Sequence, residues 1–464
     1  MHPSFITSAL TAFSALVIGS TALHTTGNDQ VVKYAIHKVR VTQSNSSHAV
    51  SIGTANQNWL YTVELSIGTP PQKTLVQLDT GSSEMWVNAN CSAAPTALNQ
   101  KELCDKVPVY KVNDSSTATG PLRSSQIQYG VGEQLTGVRF NYYKDTVNIG
   151  GIEIKEQIFG VAWASANVPI GILGLGPDLD RGFALNESHP LVLDAMAQSK
   201  SISSRVYSVG LGGADEVEGS LIFGGIDKGR YTGSLEKLPI VKSTEGKSRQ
   251  VPHAQLHISI QCDETNRLIR LTVDLSALSI HGKGKSREYD ISNQTNVLLD
   301  TGYTMSKLNQ KLAEQIHTDI GAKLDESLGY YVVDCSVRDV DGGLDFKFGN
   351  KTITVPFHEF IFTAEGICAA GLEPVEEGQQ QVLGLSFLRA AYVVFDWDNE
   401  NAHLAQLANC TSEIVPATAG PDAVPSVVGN CEATLSTTNV SSAATRLESV
   451  AMLMFALVIA AVLE

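Results

Sequence analysis

Leu75-Val76-Gln77-Leu78-Asp79-Thr80-Gly81-Ser82 is an apolar, strand-like run that stops at an acid followed by a small hydroxyl residue and glycine. The chain repeats the pattern as Asn296-Val297-Leu298-Leu299-Asp300-Thr301-Gly302-Tyr303. Asp79 and Asp300 lie 221 residues apart. The repeat predicts a duplicated chain in which each half delivers one carboxylate to a shared site. A second repeated element supports this: Ile172-Leu173-Gly174 follows the first motif and Val382-Leu383-Gly384 the second. Two apolar residues and a glycine permit close strand packing beneath each acidic loop.

The chemistry of such a pair follows from electrostatics. Two carboxylates ~3 Å apart cannot both ionise, so they share one proton and titrate as a unit. One acid then takes a proton from a water while its protonated partner polarises a peptide carbonyl. Hydrolysis by this route needs no metal, no cofactor and no covalent intermediate. Thr80 and Thr301 are placed to hydrogen-bond the opposite loop, and Gly81 and Gly302 to permit the tight turn. A lone Asp-Thr-Gly is most often a surface turn; two copies behind matched strands are the signal.

At 464 residues the chain has room for two or three domains. It is 43% hydrophobic and 17% charged, the composition of a folded protein with ample core. A net charge of −15 leaves no basic block to neutralise phosphates, which excludes nucleic acid as a partner. Strand signals dominate from Trp59, as in Tyr61-Thr62-Val63-Glu64-Leu65-Ser66-Ile67 before the Gly68-Thr69-Pro70-Pro71 turn. Helices are expected only at Pro190 to Gln198 and Lys307 to Gly321. The expected fold is therefore all-β and bilobal, two β-rich lobes with a cleft between them and a boundary near residues 235–245.

Both ends carry processing patterns. Ala9 to Gly19 is a short apolar stretch followed by small residues, so residues 1–22 fit a signal peptide. Residues 23–57 are polar around a cationic patch, Val31 to Arg40. They fit a removable pro-segment whose cationic strand lies across an acidic cleft, or else an ordered first strand. Residues 58–238 and 239–409 form the two lobes. Residues 410–441 are rich in Ser, Thr, Ala, Val and Pro and fit a stalk. Small residues, a polar spacer and the apolar tail Val450 to Leu463 make residues 442–464 a glycolipid (GPI) anchor signal, with a tail anchor the alternative. The membrane is thus an expected partner.

Seven cysteines in a secreted chain imply disulfides. Cys91 and Cys104 are expected to close a surface loop, and Cys335 and Cys368 a larger one. Cys410 is then matched with Cys431, leaving Cys262 over; spacing alone leaves other connectivities open. Acceptor sequons for N-glycosylation begin at Asn45, Asn90, Asn113, Asn186, Asn293, Asn350, Asn409 and Asn439. Asn90 and Asn409 each precede a cysteine, so early disulfide closure competes with their modification.

Together these motifs resemble the pepsin-type aspartic proteases over about residues 58–407. The most specific match is Asp79-Thr80-Gly81-Ser82-Ser83-Glu84-Met85-Trp86-Val87, joined by Gln128-Tyr129-Gly130-Val131-Gly132, Gly219 to Asp227 and Val382 to Asp396. The terminal tail and acidic balance are similar to the fungal, cell-surface yapsin-like branch. The resemblance implies that Asp79 and Asp300 are the catalytic pair, with Ser82 bonding the first. It implies that Tyr129, beside Gly130, is a flap tyrosine tied to Trp86 and closing over an extended peptide. For Tyr129 the plain alternative is an exposed hairpin aromatic, and for Trp86 a core position. A preference for basic residues, as in that branch, would need acids in the cleft, for which Glu84 and Glu133 are the candidates.

Three departures stand out. Tyr303 replaces the usual short hydroxyl residue after the second motif, Ile170-Gly171 stands where Asp-Gly is common, and Val131 lacks an acid that some relatives carry. The expected function is a secreted, cell-surface aspartic endopeptidase. It would act on protein or peptide substrates as a monomer, because both motifs share one chain. A peptide-binding relative without activity is the alternative from another class, favoured only by Tyr303. A structural wall protein would need long Ser/Thr repeats.

Overall fold

The computed structural model describes residues 32–40, 59–94, 100–129, 136–176, 189–214, 218–241, 272–292, 295–326, 328–364 and 366–432. The expected signal peptide and anchor signal, Cys262, Gly130 and the sequons at Asn45, Asn186, Asn293 and Asn439 lie outside them.

Strand Gln72–Asp79 buries Thr74, Val76 and Leu78 on one face, the period of two that its sequence carries. It pairs antiparallel with strand Trp59–Ile67 through the Gly68 turn, setting Val63 opposite Val76. On its other side it runs parallel to strand Gly171–Gly174, with Asp79 opposite Gly174. Strand Met85–Val87 then pairs antiparallel with that same Gly171–Gly174 strand. The apolar-glycine element is thus threaded between the strand that brings the acid and the strand that leaves it.

The second half repeats the arrangement. Strand Asn296–Leu299 runs parallel to strand Gln381–Leu383, and strand Ser306–Asn309 pairs antiparallel with it at Lys307 and Val382. Close approach explains the two glycines. A Cβ on Gly174 would sit 2.6 Å from the Glu84 nitrogen, and one on Gly384 would sit 2.5 Å from the Tyr303 carbonyl oxygen. Val297 and Leu299 are fully buried, as are Val63, Val76 and Leu78 in the first half. Each such side chain contributes about 1.5–3 kcal/mol of burial.

Among the described residues one sheet has thirteen strands and joins the halves. The late strands Ala391–Asp396 and Asn401–Gln406 enter it beside strand Val206–Gly210 and strand Glu236–Pro239. The lobes are therefore sewn together along a shared sheet. Strand Val32–Arg40 is also built into this sheet, paired with strand Glu218–Phe223 on one edge and strand Trp59–Ile67 on the other. That placement corrects the expectation that it lies across the cleft: its backbone is satisfied by ladder partners on both sides.

Helix Val192–Gln198 falls where expected, but the second helix spans Gln310–Ile320. Lys307 to Asn309 belong to a strand instead, because ladder partners on both sides claim that backbone. Asn309 begins the helix, its side chain accepting the Lys311 N–H at 3.0 Å.

The expected stalk is corrected as far as Cys431. Strand Ile414–Pro416 pairs with strand Gly225–Asp227, and Cys410 is bonded to Cys431. Asp227 is fully buried and accepts from Ser412 Oγ at 2.6 Å and the Glu413 N–H at 2.8 Å. Ala417, Ala423 and Val424 pack with Tyr231 and Tyr392. The segment lacks periodicity because its apolar residues dock on a ready-made sheet face and form no element with a repeat of their own. Cys91–Cys104 and Cys335–Cys368 are the other two bridges described.

Candidate active site

Asp79 ends its strand and Asp300 follows its own, so the two acidic turns meet where the lobes join. Thr80 Oγ1 donates to the Leu299 carbonyl at 2.8 Å and accepts the Thr301 N–H at 3.0 Å. Thr301 Oγ1 donates to the Leu78 carbonyl at 2.8 Å and accepts the Thr80 N–H at 3.1 Å. Both threonines are buried, so these four bonds satisfy backbone groups that water cannot reach.

The glycines orient the acids. The Gly81 N–H donates to Asp79 Oδ1 at 2.9 Å, and the Gly302 N–H to Asp300 Oδ1 at 2.7 Å. A Cβ on Gly302 would lie 2.8 Å from Asp79 Oδ1 and 2.9 Å from Asp300 Oδ1, and one on Gly81 would collide with the Asp300 carboxyl. The carboxyls therefore face each other over bare backbone. Asp79 is 5% exposed and Asp300 4%. The match is not complete. Ser82 Oγ donates to Asp79 Oδ2 at 2.5 Å. On the other side the Tyr303 ring lies under the Lys307 ammonium, 5.1 Å from its centroid, and Lys307 pairs with Glu373 at 3.2 Å.

Tyr129 ends strand Thr119–Tyr129, one arm of a hairpin with strand Thr136–Ile149. Trp86 Nε1 donates to its hydroxyl at 2.7 Å from a fully buried ring, so Trp86 is both core and tether. Burial pushes the Tyr129 hydroxyl well above its ordinary range, and the charge of Asp79 pushes it further. It stays a neutral phenol, with its own proton to donate.

Glu84 is corrected. It is 1% exposed, and its Oε1 accepts the Tyr142 hydroxyl at 3.0 Å, so it offers no charge to a substrate side chain. Glu133 lies outside the described residues. Asn113, Asn350 and Asn409 are exposed, whereas Asn90 is half-buried and its side chain accepts the Ser92 N–H at 3.1 Å. His189 and Tyr142, which meet Glu84, carry no signal in the sequence: one is a lone histidine before Pro190, the other an inward position of an alternating strand.

A two-lobed β body whose paired acidic turns meet at the lobe junction defines the pepsin-type class of aspartic proteases. The profile described as eukaryotic aspartyl protease matches residues 60–407, and the chain belongs to that family. It is an aspartic-type endopeptidase. Secreted aspartic protease 5 of Candida albicans is 31% identical over 366 residues, covering 77% of this chain and 78% of the relative. Aspartic proteinase 3 of Saccharomyces cerevisiae is 27% identical, with 77% and 72% covered. Among solved structures, the aspartic proteinase from Irpex lacteus shares the fold with a TM-score of 0.58 at 20% identity, over 81% of this chain and 98% of that one.

Proposed function

We propose that Asp79 and Asp300 are the catalytic pair of a secreted, cell-surface endopeptidase that cleaves extended polypeptide. The observation that carries this is the reciprocal bonding of Thr80 and Thr301, which holds one carboxyl of each lobe over the glycine of the other. A water bound between the acids loses a proton to the ionised carboxylate, while the protonated one donates to the scissile carbonyl. Attack gives a tetrahedral diol, and proton return to the leaving nitrogen breaks the bond. The Ser82 hydroxyl and the glycine N–H groups keep the carboxyls in place. Tyr129, tethered by Trp86, closes over the peptide and excludes water.

Residues 23–57 act as a removable pro-segment in this reading, and the chain is held at the membrane by a GPI anchor attached near Asn439 or Ser441. The support is the sequence pattern of both ends, together with relatives named as secreted proteases. The catalytic unit works as a monomer. A preference for basic side chains rests on the acidic balance of the chain and on Glu133, since Glu84 is buried.

The test is expression of the full chain in a fungal host, with a mixed peptide library assayed at pH 3–7 with and without pepstatin. Pepstatin-sensitive cleavage of surface-held enzyme, released by phosphatidylinositol-specific phospholipase, is the expected result; the cut sites decide the basic preference. A processed, folded protein that binds peptides without cutting them at any pH would sink the catalytic assignment.

A further inference from the structure

Glu84 lies between the Asp79 turn and the flap hairpin. A carboxylate withdrawn from water there is strongly unfavourable unless it is paired or protonated. Its Oε1 accepts the Tyr142 hydroxyl at 3.0 Å and stands 3.6 Å from Nε2 of His189, whose side chain is 5% exposed. The imidazole meets the Tyr142 ring edge-on, with centroids 5.5 Å apart. Oε2 of Glu84 and both ring nitrogens of His189 are buried and make no hydrogen bond among the described residues.

Electroneutrality limits what this cluster holds. A buried carboxyl and imidazole are jointly neutral only with one proton between them, as acid facing imidazole or carboxylate facing imidazolium. Removing that proton leaves a buried negative charge; adding a second leaves a positive one. Among the described residues, the surrounding groups do not supply it. Burial, and then the charge of Glu84, hold the Tyr142 hydroxyl above its ordinary range, so it remains a neutral donor. Tyr129, on the neighbouring strand, also feels Glu84 and is likewise neutral. Arg123 on that strand acts on Tyr142 from an exposed position. Asp79, five residues earlier on the chain, is engaged by Gly81 and Ser82.

The cluster is wired to the flap. The Glu84 carbonyl accepts the Gly174 N–H at 3.1 Å, and two residues on, Trp86 holds the Tyr129 hydroxyl. We propose that Glu84 and His189 are a positioning pair that keeps one proton and, through Trp86, fixes Tyr129 over the acids. The pair adds to the pH profile a one-proton requirement that belongs to neither Asp79 nor Asp300. The proposal rests on the flap reading above.

The test follows kcat/KM on a quenched peptide, and the thermal midpoint, from pH 3 to 8. It compares wild type, Glu84→Gln, His189→Gln and the double variant. Glutamine at 84 keeps an acceptor for Tyr142 and carries no charge. In wild type, loss of the pair's shared proton adds a fall of about tenfold per pH unit to the alkaline limb that the Asp79–Asp300 proton sets. Glu84→Gln removes that added fall and the matching fall in midpoint, leaving the limb set by the Asp79–Asp300 proton. His189→Gln moves both to lower pH, because one of the two sites that share the proton is gone. The double variant returns to the Glu84→Gln profile, which a mere packing loss would not do. Alkaline limbs and midpoint slopes identical in all four proteins would overturn the proposal. So would a His189→Gln loss that is uniform with pH and not rescued by Glu84→Gln. If wild type itself cuts no peptide, the catalytic reading fails while the midpoint curves still decide the pair.

Discussion

Thr80 and Thr301 each accept the other's backbone N–H, at 3.0 and 3.1 Å, across 221 residues of sequence. The exchange joins two lobes at the point where each presents its acid. Both hydroxyls also donate to a carbonyl beneath the opposite turn, so neither is replaceable by an apolar group of the same shape.

Thr80→Val is therefore expected to lower the unfolding free energy by about 2–4 kcal/mol, since a buried N–H and a buried carbonyl each lose a partner. Thr80→Ser keeps both bonds and stays near wild type. Urea unfolding of the two variants measures the difference.

If Asp79 is one of the catalytic pair, the short bond from Ser82 to Asp79 is expected to act on the reaction more than on the fold. Ser82→Ala is expected to lower kcat by about ten- to a hundredfold, within the range of one positioned acid–base contribution. KM and the thermal midpoint stay close to wild type. Steady-state kinetics with a melting curve separates the two effects.

Tyr129→Phe and Trp86→Phe break the same hydrogen bond from opposite ends. Each is expected to cost about tenfold in kcat/KM, and the double variant little more than either, because partners in one contact are not additive. Additive losses in the cycle would show that the two residues act separately.

The sequence carries the acids more plainly than their surroundings. Asp79 and Asp300 are legible because the apolar strand, the acid and the glycine are local, and because the pattern occurs twice. Ile172-Leu173-Gly174 and Val382-Leu383-Gly384 are legible for the same reason, and their strands lie where the repeat predicts. Lys307 to Asn309 mislead, since a helical pattern runs through them and pairing on both edges overrides it. Glu84 is visible as a charge, yet its burial depends on Tyr142 and His189, which lie 58 and 105 residues further along the chain. Ile414 to Val424 look structureless because their order comes from the sheet that they cover.

His317 and His403 set a limit at acid pH. Burial lowers both to about 4, with Lys237 adding to the effect on His403. An unfolded imidazole titrates near 6.5, so the unfolded state binds more protons between those values. The contribution is fully present above about pH 6.5 and is lost as pH falls towards 4, at about 3 kcal/mol for each buried histidine. His317→Gln and His403→Gln are expected to lose less stability over this window than wild type. Denaturant midpoints at pH 4 and 7 read the change directly.

The Cys410–Cys431 bridge closes a segment that covers Tyr231 and Tyr392. Replacing both cysteines by serine is expected to lower stability by about 3 kcal/mol, the loop-closure effect for a loop of this length. Equal melting of variant and wild type under oxidising conditions would show that packing alone holds the segment.

The paired-acid account is tested most directly by kcat/KM of Asp300→Asn against wild type at the pH of maximal activity, with the thermal midpoint measured alongside. The account predicts a fall of about four orders of magnitude, the scale of losing an essential catalytic group, in a protein that still melts as one folded unit. A folded Asp300→Asn enzyme retaining activity within tenfold of wild type would contradict it.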